Sequence, residues 1–157
     1  MPGDNIDIVR RFVDAFNRGD VEGVLELLDP AVEWRPALPL LLGEATVYRG
    51  HRGARKWLHD LHAVVDRAHL EYPRIRDLGD RVLAIGRLRI RGKGSGAETE
   101  SPFAHLTDIR DGKAIRIWTY LDPEEAFEAA GLNRRRLVTR GTRPSRWVGS
   151  ASGALRR

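Results

Sequence analysis

Between residues 69 and 121 the chain alternates. Apolar side chains recur at every second position through four stretches, 69–78, 81–91, 98–110 and 113–121. A turn signal closes each of the first three: Gly79-Asp80, the run Gly92-Lys93-Gly94-Ser95-Gly96, and Asp111-Gly112. A period of two, broken by short glycine-bearing links, predicts antiparallel strands joined as hairpins. The period also sorts the faces. Val82, Ala84, Gly86, Leu88 and Ile90 point one way, and Arg87, Arg89 and Arg91 the other. In the last stretch Ile115, Ile117, Thr119 and Leu121 oppose Arg116, Trp118, Tyr120 and Asp122. One face is expected to be apolar and covered. The other is a mixture of aromatic rings and arginine.

The cover is expected from helices. Val9, Phe12, Val13 and Phe16 repeat at helical spacing, after a cap at Asp4 or Asn5 and before Gly19. Asp20 caps a second helix with the stripe Val21, Val24, Leu25 and Leu28, bounded by Pro30. Residues 31–36 read as a short strand that Pro36 ends. Residues 37–45 read as an apolar loop. Its leucines Leu38, Leu40, Leu41 and Leu42 predict that it folds over a core or a pocket mouth. After a brief extended piece at 46–49, Gly50 opens a third helix with Ala54, Trp57, Leu58, Leu61 and Val65 on one face. Asp122 caps a fourth, with Pro123 at its first position and Glu125 completing a capping box, and Gly131 ends it. Helices around a curved antiparallel sheet predict an α+β fold whose usual product is one deep pocket, here lined by Val82, Ala84, Leu88, Ile115, Ile117 and Leu121 and left roomy by Gly86.

Charge divides the chain in two. Residues 1–132 hold 19 basic and 22 acidic side chains, whereas residues 133–157 hold 8 arginines and no acid. The net charge of +5 therefore belongs to the tail. That tail, rich in Gly and Ser and lacking an apolar stripe, is expected to be a flexible extension of a single domain spanning 1–132. One aromatic, Trp147, and no recognition motif make nucleic acid an unexpected partner. There is no cysteine, hence no disulfide or thiolate chemistry. Neither a membrane-length apolar run nor a basic-then-apolar start is present, so a cytoplasmic protein is expected. Arginine outnumbers lysine 24 to 3, a bias of GC-rich bacterial coding sequences.

Several segments together carry a resemblance. They are Arg11-Phe12-Val13-Asp14-Ala15-Phe16-Asn17-Arg18-Gly19-Asp20, Asp29-Pro30-Ala31-Val32-Glu33-Trp34 and Tyr48-Arg49-Gly50-His51-Arg52-Gly53. They continue through Gly92 to Gly96, Arg110-Asp111-Gly112-Lys113 and Tyr120-Leu121-Asp122. In this order the chain resembles the SnoaL-like group of the nuclear transport factor 2-like superfamily over residues 5–132. The resemblance implies a cone-shaped α+β fold with a pocket between sheet and helices. It also implies frequent dimerisation through the outer sheet face. Members range from polyketide cyclases, ketosteroid isomerases and epoxide hydrolases to non-catalytic domains. The isomerases place a tyrosine donor where this chain has Phe12 and a base aspartate where it has Arg35. The epoxide hydrolases' Arg and two Asp fall on Gly86, Leu88 and Thr119. Neither apparatus is expected to operate.

Other groups remain as candidates. His105, Asp122 and Tyr120 are the acid–base and hydroxyl candidates, with Tyr48 as a second hydroxyl donor. Helix capping competes for Asp122, and a sheet hydrogen bond competes for His105. Phe12, Phe16, Trp34, Arg35 and Tyr48 are expected at the ligand, and so are Trp57, Leu88, His105, Ile117 and Thr119. Core packing is the competing role for the aromatic residues. Glu33 and Arg35 could pair across one strand face. His59 and His62 sit a helical turn apart without an acidic third ligand, so no metal is expected, and no cofactor motif is present. The expectation is a pocket protein for a small apolar metabolite, as cyclase, isomerase or hydrolase, or else a ligand carrier or interaction domain.

Overall fold

The computed structural model describes residues 2–44, 46–132 and 148–149. Helix α1 runs Pro2–Arg18. It starts earlier than the cap signals suggest, because proline at a first helical position sacrifices no hydrogen bond. Asp4 and Asn5 thus lie inside the helix, and Asn5 Nδ2 donates to the Gly79 carbonyl at 2.6 Å. Asp20 does cap α2 (Val21–Glu26), accepting from the Gly23 amide at 2.9 Å. Strand β1 (Leu28–Arg35) follows, and Pro36 stops it. The leucine segment is not a plain loop. It forms one helical turn, α3 (Ala37–Leu41), with the Leu42 amide bonded to the carbonyls of Leu38 and Pro39. Pro39 is tolerated because its missing N–H falls in the first turn.

The remaining elements follow the alternation closely. They are β2 (Tyr48–Arg49), α4 (Gly50–Val64), β3 (Val65–Asp77), β4 (Arg81–Gly92), β5 (Glu98–Arg110), β6 (Lys113–Tyr120), α5 (Pro123–Ala129) and β7 (Val148–Gly149). Asp111 and Gly112, at φ 53° and 77°, supply the paired left-handed conformations of a tight hairpin. The sheet order is β2-β1-β6-β5-β4-β3-β7. It is a mixed sheet, antiparallel except where β1 lies parallel to β6. Apart from β7, which pairs with Arg74 and Ile75 of β3, the proposed tail lies outside the described residues. No described helix is long and apolar enough to cross a membrane.

Two of the sheet's bulges correct the expected lining. Glu71 pairs with Arg87 and Arg74 with Ile85, so Tyr72 and Pro73 together oppose Gly86. The bulge bends β3 toward its neighbour. A Cβ on Gly86 would lie 1.7 Å from the Glu71 carbonyl oxygen. Gly86 therefore does not leave the cavity roomy; the β3 backbone occupies that space. The second bulge lies between β5 and β6, where Asp108 pairs with Arg116 and Ile109 with Ala114. Ile115 is the extra residue. Ala114, not Ile115, joins Ile117 in the main core.

That core fills the space between the inner sheet face and α1, α2 and α4, with Phe12, Trp34, Trp57 and Phe103 as its large members. A second, smaller core corrects the expected outer face. Ala126 and Phe127 of α5 pack over Leu83, Ala104 and Leu106. The middle of the outer face is thus apolar and covered. Where it stays open, Arg87 and Arg89 lie 3.3 and 3.6 Å from Glu100, and Arg91 lies 3.2 Å from Asp66. Such exposed pairs contribute little to stability.

Candidate functional site

A narrow cleft opens between α1, α3, α4 and the inner sheet face; its enclosed room is about 20 Å³, enough for a water molecule, and about 340 Å³ once the open solvent at its mouth is counted. Each element contributes through its own period. Phe16 comes from α1, one turn beyond Phe12, and Trp57 and Leu61 come from α4. The strands add Trp34, Leu70, Leu88 and His105 from their inward positions. Pro36, Ala37 and Leu38 form the rim, so the leucine segment does border the mouth. Trp34 and Trp57 meet edge to face at 6.3 Å, and Phe12 stands against Trp34 at 5.4 Å. Among the described residues, neither indole N–H, both buried, has a hydrogen-bond partner.

Among the described residues, His105 is the only ionisable side chain on this lining. Its ring sits among aromatic edges: Phe103 at 4.9 Å, Tyr72 at 5.7 Å and Phe12 at 6.3 Å. The Tyr72 hydroxyl hydrogen-bonds His105 Nδ1. Burial lowers the His105 pKa from 6.5 to about 3, and burial raises that of Tyr72 well above 10. Both groups are neutral at pH 7. The pair is held by the bulge, since Tyr72 is the residue it displaces. Tyr72 had no role in the sequence reading. The signal was Tyr72-Pro73 inside an alternating strand, a place where proline marks a bulge.

The other candidates are spread over the fold. Phe12 and Ile117 line a second, nearly closed cleft with Tyr72, Thr107 and Leu28, with about 10 Å³ of enclosed room. Thr119 is fully buried and pairs across the sheet with His105, but lines neither cleft. The Tyr48 hydroxyl donates to Asp60 at 3.2 Å, away from the cleft lining. Arg35 lies on the outer face, its guanidinium 4.8 Å from the Trp118 ring and 5.0 Å from Tyr120. Glu33 pairs with Arg49 rather than Arg35. Tyr120 pairs with Ala104, on the face opposite His105. Asp122 caps α5, accepting from the Glu124 amide at 3.0 Å. The sheet therefore brings neither Tyr120 nor Asp122 together with His105.

A family model described as a SnoaL-like domain matches residues 9–117. The chain belongs to the SnoaL-like family. No curated protein matches it. Among solved structures, this SnoaL-like chain is similar to a nuclear transport factor 2-like protein of unknown function from Burkholderia pseudomallei. That match has 24% identity and a TM-score of 0.68, covering 80% of this chain and 95% of that one. TerC, co-crystallised with polyporic acid, matches at 27% identity and a TM-score of 0.67, over 82% and 98% of the two chains. A candidate polyketide cyclase from Xanthomonas campestris matches at 20% identity and a TM-score of 0.67, again over 82% and 98%. In the SnoaL-like frame the cleft is the space between the helices and the concave sheet. What this chain puts there is three aromatic rings, aliphatic side chains and one neutral histidine.

Proposed function

We propose that this SnoaL-like protein binds a small, flat, largely apolar metabolite in the cleft between Phe16, Trp34, Trp57 and His105. One observation carries the reading. An aromatic-walled cleft holds one polar ring nitrogen, His105 Nε2, to which no described residue bonds. Burying a polar atom unpaired is unfavourable by roughly 1–3 kcal/mol, so a lining of this kind suits a ligand that supplies the missing partner. Co-crystallisation of TerC with polyporic acid supports the same class of occupant. Proton-transfer chemistry has less support. His105 stands alone, without a second ionisable group on the lining, and general acid–base catalysis works best with a pKa near the working pH. We expect no turnover of an unsaturated ketosteroid or of limonene epoxide.

Indole N–H resonances test the binding site directly. Naphthalene and 1,4-naphthoquinone are titrated into the full chain while the tryptophan side-chain signals are followed. Shifts at Trp34 and Trp57 without shifts at Trp118 are expected. Shifts confined to Trp118, or none at millimolar probe, would overturn the proposal.

A further inference from the structure

We propose that Tyr72 fixes His105 as a permanent hydrogen-bond donor, so that the cleft selects aromatic ligands bearing a carbonyl or similar acceptor oxygen. This rests on the cleft being the ligand site. The hydroxyl of Tyr72 is buried, and His105 Nδ1 is its hydrogen-bond partner among the described residues. A hydroxyl proton with one available acceptor must point at it or go unpaired. Tyr72 therefore donates and Nδ1 accepts. A neutral imidazole carries its proton on the other nitrogen, so Nε2 is N–H. That nitrogen has no hydrogen-bond partner among the described residues, and the ring lines the cleft.

The surroundings keep this state. The ring contacts come from Phe12 on α1, Tyr72 on β3 and Phe103 on β5. Its sheet neighbours are Ala84 on β4 and Thr119 on β6. None of these groups is charged at neutral pH, so nothing in the contact shell favours an imidazolium. His105 Nε2–H thus presents a donor and no acceptor to the cleft. An oxygen acceptor on a flat ring satisfies it. An amine offers its own N–H and leaves it unpaired, a mismatch that weakens binding in a dry site.

Tyr72 acts here as a positioning residue and His105 as a binding residue. Nitrogen-15 spectra of histidine-labelled full chain decide the tautomer without any variant. The expected spectrum shows a pyridine-type Nδ1 and a pyrrole-type Nε2 for His105, unchanged from pH 8 to pH 5. The reverse assignment, or titration near pH 6.5, overturns the proposal. Tyr72→Phe should convert the signal to a mixture of tautomers; an unchanged spectrum counts against a role for the hydroxyl. For selection, 1,4-naphthoquinone should bind about tenfold tighter than 1-aminonaphthalene, the worth of one well-made hydrogen bond. That preference should vanish in His105→Phe. The chain has no cysteine to react with the quinone. Equal affinities would overturn the selection while leaving the ligand site standing. If neither probe binds, the ligand site itself falls, while the nitrogen spectrum still decides the tautomer.

Discussion

Burying a neutral histidine has a consequence for stability. His105 titrates near 6.5 in an unfolded chain and about 3 when folded. Between those values the unfolded chain binds more protons, so stability falls as pH drops below 6.5 and is unaffected above it. The slope approaches about 1.4 kcal/mol per pH unit for one proton. Denaturant melts from pH 7 to pH 4 should show this loss, and His105→Gln should remove that part of it. A wild-type curve no steeper than the variant's would mean that the histidine is charged or open to water. Gly86 makes the companion prediction. Its position against the Glu71 carbonyl leaves no room for a methyl group, so Gly86→Ala should destabilise by about 3 kcal/mol, the upper range of overpacking. The alternation shows Gly86 facing inward but not what lies opposite, because the bulge that fills that space arises on another strand. Equally, His105 was legible as an inward residue, while its partner Tyr72 depends on the bulge at Pro73.

At the level of elements, the turn and cap chemistry was legible. Asp20 and Asp122 cap the helices their side chains announce, and Asp111-Gly112 turns the hairpin. What local pattern cannot show is which face a helix will cover. The α5 segment has a clear start, yet its docking on Leu83, Ala104 and Leu106 depends on where β6 releases the chain. The Ile115 facing failed for the same kind of reason, since the bulge takes that one residue out of the alternation while Ile117 and Thr119 after it keep theirs. Asp122 offers a clean discrimination between capping and chemistry. Asparagine caps as well as aspartate, whereas alanine does not. Asp122→Asn should leave stability unchanged and Asp122→Ala should lower it by about 1 kcal/mol, with neither altering probe binding in the cleft. A loss of binding in Asp122→Asn would point to a carboxylate acting on the ligand.

For the whole molecule, the open question is what meets the uncovered part of the outer sheet face. There Arg116 lies 4.1 Å from the Trp118 ring, and Arg35 spans Trp118 and Tyr120. The Arg35 guanidinium also donates to the Thr119 carbonyl at 2.7 Å, which holds the stack flat against β1 and β6. Arginine–aromatic surfaces of this kind are favoured at interfaces, because the ring faces and the weakly hydrated guanidinium both desolvate readily. We propose that two copies pair through this patch about a twofold axis, each presenting the same surface to the other. The α5 helix limits the patch to the β1–β6 side, because it already occupies Ala104 and Leu106. Sedimentation at micromolar concentration should give twice the chain mass, and Trp118→Asp, which buries a charge in the contact, should halve it. The tail should matter little to either result. Deletion after Leu132 removes the 8 arginines beyond it, turns a basic protein into an acidic one and takes β7 from the edge of β3. A dimer that survives Trp118→Asp, or a wild-type monomer at that concentration, would place the contact elsewhere or remove it.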